Sequence, residues 1–150
     1  MSDTDDTTPE SKHPVKPREA RDQATEYLGF MGSEIYDLGG GDTWELPNPQ
    51  LMPPDMEERY NEHLRFMAEE LDTEDRKDPI TGETRPVQLY PLRKDGKLIN
   101  DKELLAIALM GEPTYKKFLK AGGVPGQIST SWQMMNRQFQ ERLRQDSKSR

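Results

Sequence analysis

The chain has no cysteine, which excludes disulfides and thiolate metal sites and suits a reducing cytoplasm. It has two histidines, His13 and His63, and without cysteine they make a poor metal site. Hydrophobic residues make up 31% of the 150 positions, below the share of an average globular domain, while 33% are charged. No run approaches the ~18 apolar residues that a membrane span requires. Residues 1–11 are acidic and polar, the opposite of a signal peptide. These shortages predict a soluble cytoplasmic protein, one domain in length, with long solvated segments.

What apolar matter there is lies mostly in the last third. Leu104, Leu105, Ala106, Ile107, Ala108, Leu109 and Met110 form a nearly continuous block, which predicts a helix over 101–110. Gly111 interrupts it, and Pro113 restarts a helix over 113–121, because a first turn tolerates a residue without an N–H. Tyr115, Phe118 and Leu119 give that helix an apolar face, and Gly122-Gly123 close it as a left-handed C-cap. A last helix over 126–144 carries Ile128, Trp132, Met135, Phe139 and Leu143 on one stripe of the 3.6-residue period.

Upstream, residues 1–17 read as a disordered acidic arm, since they hold too little apolar surface to offset the entropy of ordering. A single, mostly helical domain over 18–150 follows. Arg18 to Phe30 is compatible with a short helix, with Ala20, Ala24, Tyr27 and Leu28 at suitable spacing. Residues 35–46 have the form of a β-hairpin turning at Gly39-Gly40-Gly41, whose Trp44 face must pack on a helix or a partner. Pro47 ends it, and Pro49, Pro53 and Pro54 stiffen the connector. Asp55 then N-caps a helix over 55–71 with Met56, Tyr60, His63, Leu64, Met67 and Leu71 on one face. Asp72 to Glu83 reads as a charged loop ending in the turn Asp78-Pro79-Ile80-Thr81-Gly82. A strand around Val87 to Tyr90, with Asp95-Gly96 as its turn, completes the set. The fold class is therefore mainly α, with a short N-terminal hairpin.

The polar candidates for chemistry do not assemble. The three glycines lack the Gly-Lys-Ser/Thr and helix of a phosphate loop. Asp72, Glu74, Asp75 and Asp78 lack the glycine of a calcium loop, its place being held by Lys77. His13 sits in the acidic arm, and His63 reads as a packing residue. Glu57, Glu58 and Glu62 lie on an exposed helix face, without the burial that displaces a catalytic pKa. No enzyme, no metal and no cofactor is expected. The net charge of −7 argues against nucleic acid. The basic end with Arg137, Arg142, Arg144, Lys148 and Arg150 suits the negative pole of a helix, or else a docking tail. Eight methionines are either core filler or adaptable contact surface, Met52, Met56, Met67, Met134 and Met135 among them.

Three segments carry a resemblance. The first is Gly41-Asp42-Thr43-Trp44-Glu45-Leu46-Pro47-Asn48-Pro49 with Leu51 and Glu58-Arg59-Tyr60. The second, and the most specific, runs from Leu104 through Leu109-Met110-Gly111-Glu112-Pro113 and Phe118 to Ala121-Gly122-Gly123. The third is Trp132-Gln133-Met134-Met135-Asn136-Arg137 and the polar end Gln145-Asp146-Ser147-Lys148-Ser149. Together they span 35–149 and resemble the tail assembly chaperones of long-tailed, non-contractile bacteriophages of actinobacteria. The resemblance implies a protein that keeps the tape measure protein soluble in the host cytoplasm while the tail tube polymerises, and that is absent from the mature virion. It also implies a longer product of the same gene, made by ribosomal frameshifting, that recruits tail tube protein. This chain would be the short form, with room for a homo-oligomer.

Apolar, displaceable contacts suit such a partner. The expected contact surface is Ile128, Trp132, Met135 and Phe139 with Leu105, Leu109 and Phe118, although the same stripes also serve as a core. Two other classes compete: a structural virion component such as a head–tail connector or minor tail protein, and a small nucleic-acid-binding regulator.

Overall fold

The computed structural model describes residues 14–28 and 33–148. The expected disorder of the acidic arm, and His13 within it, fall almost wholly outside the described residues. The order of elements is α1 (Pro17–Leu28), β1 (Ser33–Gly39), β2 (Asp42–Pro47), a 3-10 turn (Pro49–Leu51) and α2 (Pro54–Glu69). There follow β3 (Thr73–Lys77), β4 (Thr84–Gln88), β5 (Arg93–Lys94), β6 (Lys97–Leu98), α3 (Asp101–Met110), α4 (Glu112–Lys120) and α5 (Pro125–Lys148). The chain is mainly α, as expected, but among the described residues its strands form three separate antiparallel hairpins, where the sequence predicts the first hairpin and one further strand pair turning at Asp95-Gly96.

α3 is the centre of the packing, lying against α2, α4 and α5. Its sequence is apolar nearly all round, which is what a helix covered on several sides requires. Asn100 caps it, its Oδ1 accepting from Glu103 N at 3.1 Å. Its far end is closed by a residue from another helix. Arg59 of α2 donates from Nε to Ala108 O (2.9 Å) and from Nη2 to Leu109 O (3.0 Å), satisfying carbonyls that the helix leaves without a partner. Arg59→Met keeps the aliphatic stem but strands both acceptors. It should cost about 2 kcal/mol in urea unfolding.

α4 begins after Gly111 (φ 81°) and ends in a Schellman motif. Gly123 N donates to Phe118 O (2.9 Å) and Gly122 N to Leu119 O (3.0 Å), with Gly122 at φ 98°. The first hairpin sits where its aromatic pattern places it. Tyr36 and Trp44 are cross-strand partners on one face, and Tyr36 meets the Phe118 ring edge-on at 5.6 Å. Leu46 is fully buried, while Ile35 on the opposite face is exposed.

Four expectations are corrected. Asp55 is not the N-cap of α2. Pro53 holds that place without a side-chain bond, and Asp55 lies within the first turn, 3.5 Å from Arg59. The helix ends at Glu69, so Leu71 is buried from the connection beyond it. The charged segment after Asp72 is a strand, not a loop. Its turn at Asp78 to Gly82 is the tip of a hairpin that pairs Thr73–Lys77 with Thr84–Gln88. β4 therefore pairs backwards along the chain, and Asp95-Gly96 joins only the two-residue strands β5 and β6.

Asp72 ties these two hairpins together: Oδ1 accepts from Asp95 N (2.9 Å) and Oδ2 from Gly96 N (2.7 Å). The Gly96 bond first, then the Asp95 bond, hold its carboxyl below the ordinary value. The folded state thus binds this proton less tightly than the unfolded chain. The contribution is fully present above about pH 4 and is lost as pH falls through the lower folded-state value. Protection of the Gly96 amide, relative to its intrinsic exchange rate at each pH, should fall over that acid range, and Asp72→Ala should leave it low at every pH.

Candidate interaction surface

The seven residues expected to face a partner separate into two groups. Ile128, Leu109, Met135, Phe118 and Trp132 are buried, and all five belong to the central cluster with Leu46, Met56, Ala106, Met110 and Tyr115. Leu105 and Phe139 are half-buried. Periodicity identifies one apolar side of α5 correctly, but the first half of that side is covered by the chain itself. In this conformation the five buried residues are not available to a partner.

The stripe does not end with the core. Met135 is the last buried residue of α5, and the helix continues to Lys148, about 20 Å further at 1.5 Å per residue. Along that length Phe139 is half-buried and Leu143 is 45% exposed, on the same side as Ile128, Trp132 and Met135. Met134 points away from the stripe and is exposed. The outer half is thus an amphipathic helix with an apolar line and flanking charge. Arg144 pairs with Glu141 at 2.6 Å and Arg142 with Asp146 at 3.8 Å. Only Lys148 lies in the last turn, so the basic end is mostly paired along the helix rather than set against its pole.

The other candidates resolve into structure. Gly39, Gly40 and Gly41 all have positive φ and form the hairpin turn, with Asp37 Oδ1 accepting from Gly39 N (2.8 Å). A strand follows them, not a helix. Lys117, at the rim of that turn, pairs with Asp42 at 3.1 Å. His63 stacks on Tyr60 at 6.3 Å, and burial lowers its pKa. Glu62 is drawn below the ordinary carboxyl value by its bond to Arg65, the reverse of what a general acid needs at neutral pH. Asp72, Glu74, Asp75 and Asp78 are strung along the β3 arm. No group of three or more His, Asp or Glu side chains converges on a metal position among the described residues. Among those residues no helix is long and apolar enough to cross a membrane.

Two features were invisible to periodicity. Asn48 is buried, with Oδ1 accepting from Gln50 N (2.8 Å) and Nδ2 without a partner among the described residues. The segment 72–99 presents the most exposed large apolar side chains, Ile80 at 91% and Tyr90 at 94%. The Asp-Pro-x-Thr-Gly turn flanked by threonines was the available signal for that arm. No family model, curated protein or solved structure matches this chain.

Proposed function

We propose that this chain is a phage tail assembly chaperone that binds the tape measure protein and keeps it soluble during tail tube assembly. On this reading it is the short form of a frameshifted pair. It acts in the host cytoplasm beside a longer product that engages tail tube protein, and it leaves before the particle is complete. The observation that carries the reading is the outer half of α5. It is an amphipathic helix whose apolar line runs on beyond the stripe that the core has already used, to Leu143 at 45% exposure. Such a helix offers a shallow apolar line to another helix, and its modest area suits contacts that must later be released. The sequence resemblance supplies the identity of that partner.

The test is co-expression with the long helical protein encoded just downstream. With the wild-type chain most of that partner should stay in the soluble fraction and co-purify, whereas alone it should precipitate. Leu143→Asp places a charge on an exposed position, so its melting curve should match wild type. Its yield of co-purified partner should fall about tenfold or more. Unchanged partner solubility with the wild-type chain would overturn the reading, and recovery of the chain from purified particles would support a structural virion role instead.

A further inference from the structure

Among the described residues the β3–β4 hairpin is the most exposed pair of strands. All five residues of β3 are exposed, and in β4 only Val87 is half-buried. A two-stranded hairpin that covers neither face is marginal in water. Its hydrogen-bond phase runs from Asp78 N donating to Glu83 O (2.8 Å) at the tip to Leu89 N donating to Asp72 O (3.3 Å) at the base. Between them the hydrogen-bonded pairs fall at Glu74↔Val87 and Arg76↔Arg85. The backbone groups of Thr73, Asp75 and Lys77 therefore point outward on one edge. On the other edge the outward set includes Pro86, opposite Asp75, which has no N–H to give. One edge is blunted, and the β3 edge pairs with nothing among the described residues.

We propose that this open edge pairs antiparallel with β3 of a second copy of the chain, about a two-fold axis through Asp75. The result is a four-stranded sheet across a dimer. The order of charge along β3 is acid, acid, base, base over Glu74, Asp75, Arg76 and Lys77. Reversed against itself in the register that the outward groups permit, it sets Glu74 opposite Arg76 of the second copy, twice. Asp75 meets its own counterpart on the axis, with Lys77 of the second copy diagonal to it. Charged edges in many proteins prevent pairing because they repel a second copy; here two Glu74–Arg76 pairs, which take over the 2.8 Å contact these residues make within the strand, offset the like-charged Asp75 contact on the axis. The blunted β4 edges stop growth, so the symmetry closes at two. The contact is small beside the ~1,200 Å² of a stable interface, so the dimer dissociates on dilution and in high salt. This inference stands apart from the chaperone reading.

Sedimentation velocity of the full chain over a concentration series tests it. The wild type should show a reversible monomer–dimer equilibrium. Asp75→Pro removes the outward N–H, opposite a position that already holds proline, and should raise the dissociation constant about tenfold or more with the melt unchanged, whereas Asp75→Asn, which removes only the axial charge, should not weaken the dimer. Arg76→Glu should abolish the dimer, and Glu74→Arg combined with Arg76→Glu should restore it, which a folding defect would not do. A wild type that is monomeric up to about 1 mM, or a dimer indifferent to both kinds of variant, would overturn the proposal.

Discussion

Gly123→Ala destabilises this protein by about 3 kcal/mol, far more than the loss of one flexible residue would suggest. A Cβ on Gly123 would stand 2.3 Å from Cζ of Phe118 and 2.4 and 2.5 Å from its Cε atoms. That ring is 2% exposed and wedged under Tyr36, so it has no free space to turn into. The same ring belongs to the residue whose carbonyl accepts from Gly123 N, so the Schellman closure and the core meet at one point. Gly122→Ala is the control. Nothing lies within 4 Å of where its Cβ would stand, and its cost is only that of a side chain at positive φ, about 1 kcal/mol. In a Phe118→Ala background the Gly123→Ala penalty should nearly vanish, because the ring it collides with is gone. Urea denaturation of the four chains measures the coupling directly. Additive effects would mean that the glycine acts through the backbone alone.

Trp132→Ala should cost about 4 kcal/mol, a large part of the 5–15 kcal/mol typical of a folded domain. The indole is 3% exposed, meets Tyr60 edge-on at 5.4 Å, and directs Nε1 toward Tyr60 OH at 3.5 Å. The hydrogen bond is long, so packing supplies most of the effect. Trp132→Phe should therefore retain most of the stability, losing about 1–2 kcal/mol. Met135→Ser belongs with Trp132→Ala. With Met135 at 1% exposure, the serine variant should lose helicity in the free chain rather than lose only a partner. Far-UV circular dichroism with a urea titration checks both. A Trp132→Ala chain as stable as wild type would return that face of α5 to the partner.

The helical third was legible because its signals agree. The apolar block of α3, the Pro113 restart and the glycines after Lys120 each specify a boundary through local chemistry, and the structure places all three there. The first hairpin was legible for the same reason, since three glycines at positive φ separate arms whose aromatics fall on one face. The β3 arm was not. Thr73-Glu74-Asp75-Arg76-Lys77 has no apolar alternation, because neither face of that strand is covered, and alternation is the only strand signal that burial writes into a sequence. Arg59 was missed because its role is to close a helix some fifty positions away, which no local pattern records. The stripe of α5 was read correctly as a stripe and incompletely as a surface. Periodicity reports that Ile128, Trp132, Met135, Phe139 and Leu143 lie on one side. What covers that side depends on where α3 and Leu46 come to rest, and the first three are taken by them.

The central claim is that α5 does two things along one stripe, closing the core with its first half and meeting a helical partner with its second. Hydrogen exchange of the chain, alone and in complex with the proposed partner, the co-expressed long helical protein, tests this most directly. Amides over 137–148 should exchange markedly more slowly in the complex, while those over 128–135, already closed by the core, should change little. Unaltered exchange over 137–148 in a complex that nevertheless co-purifies would contradict the account and place the contact elsewhere on the chain.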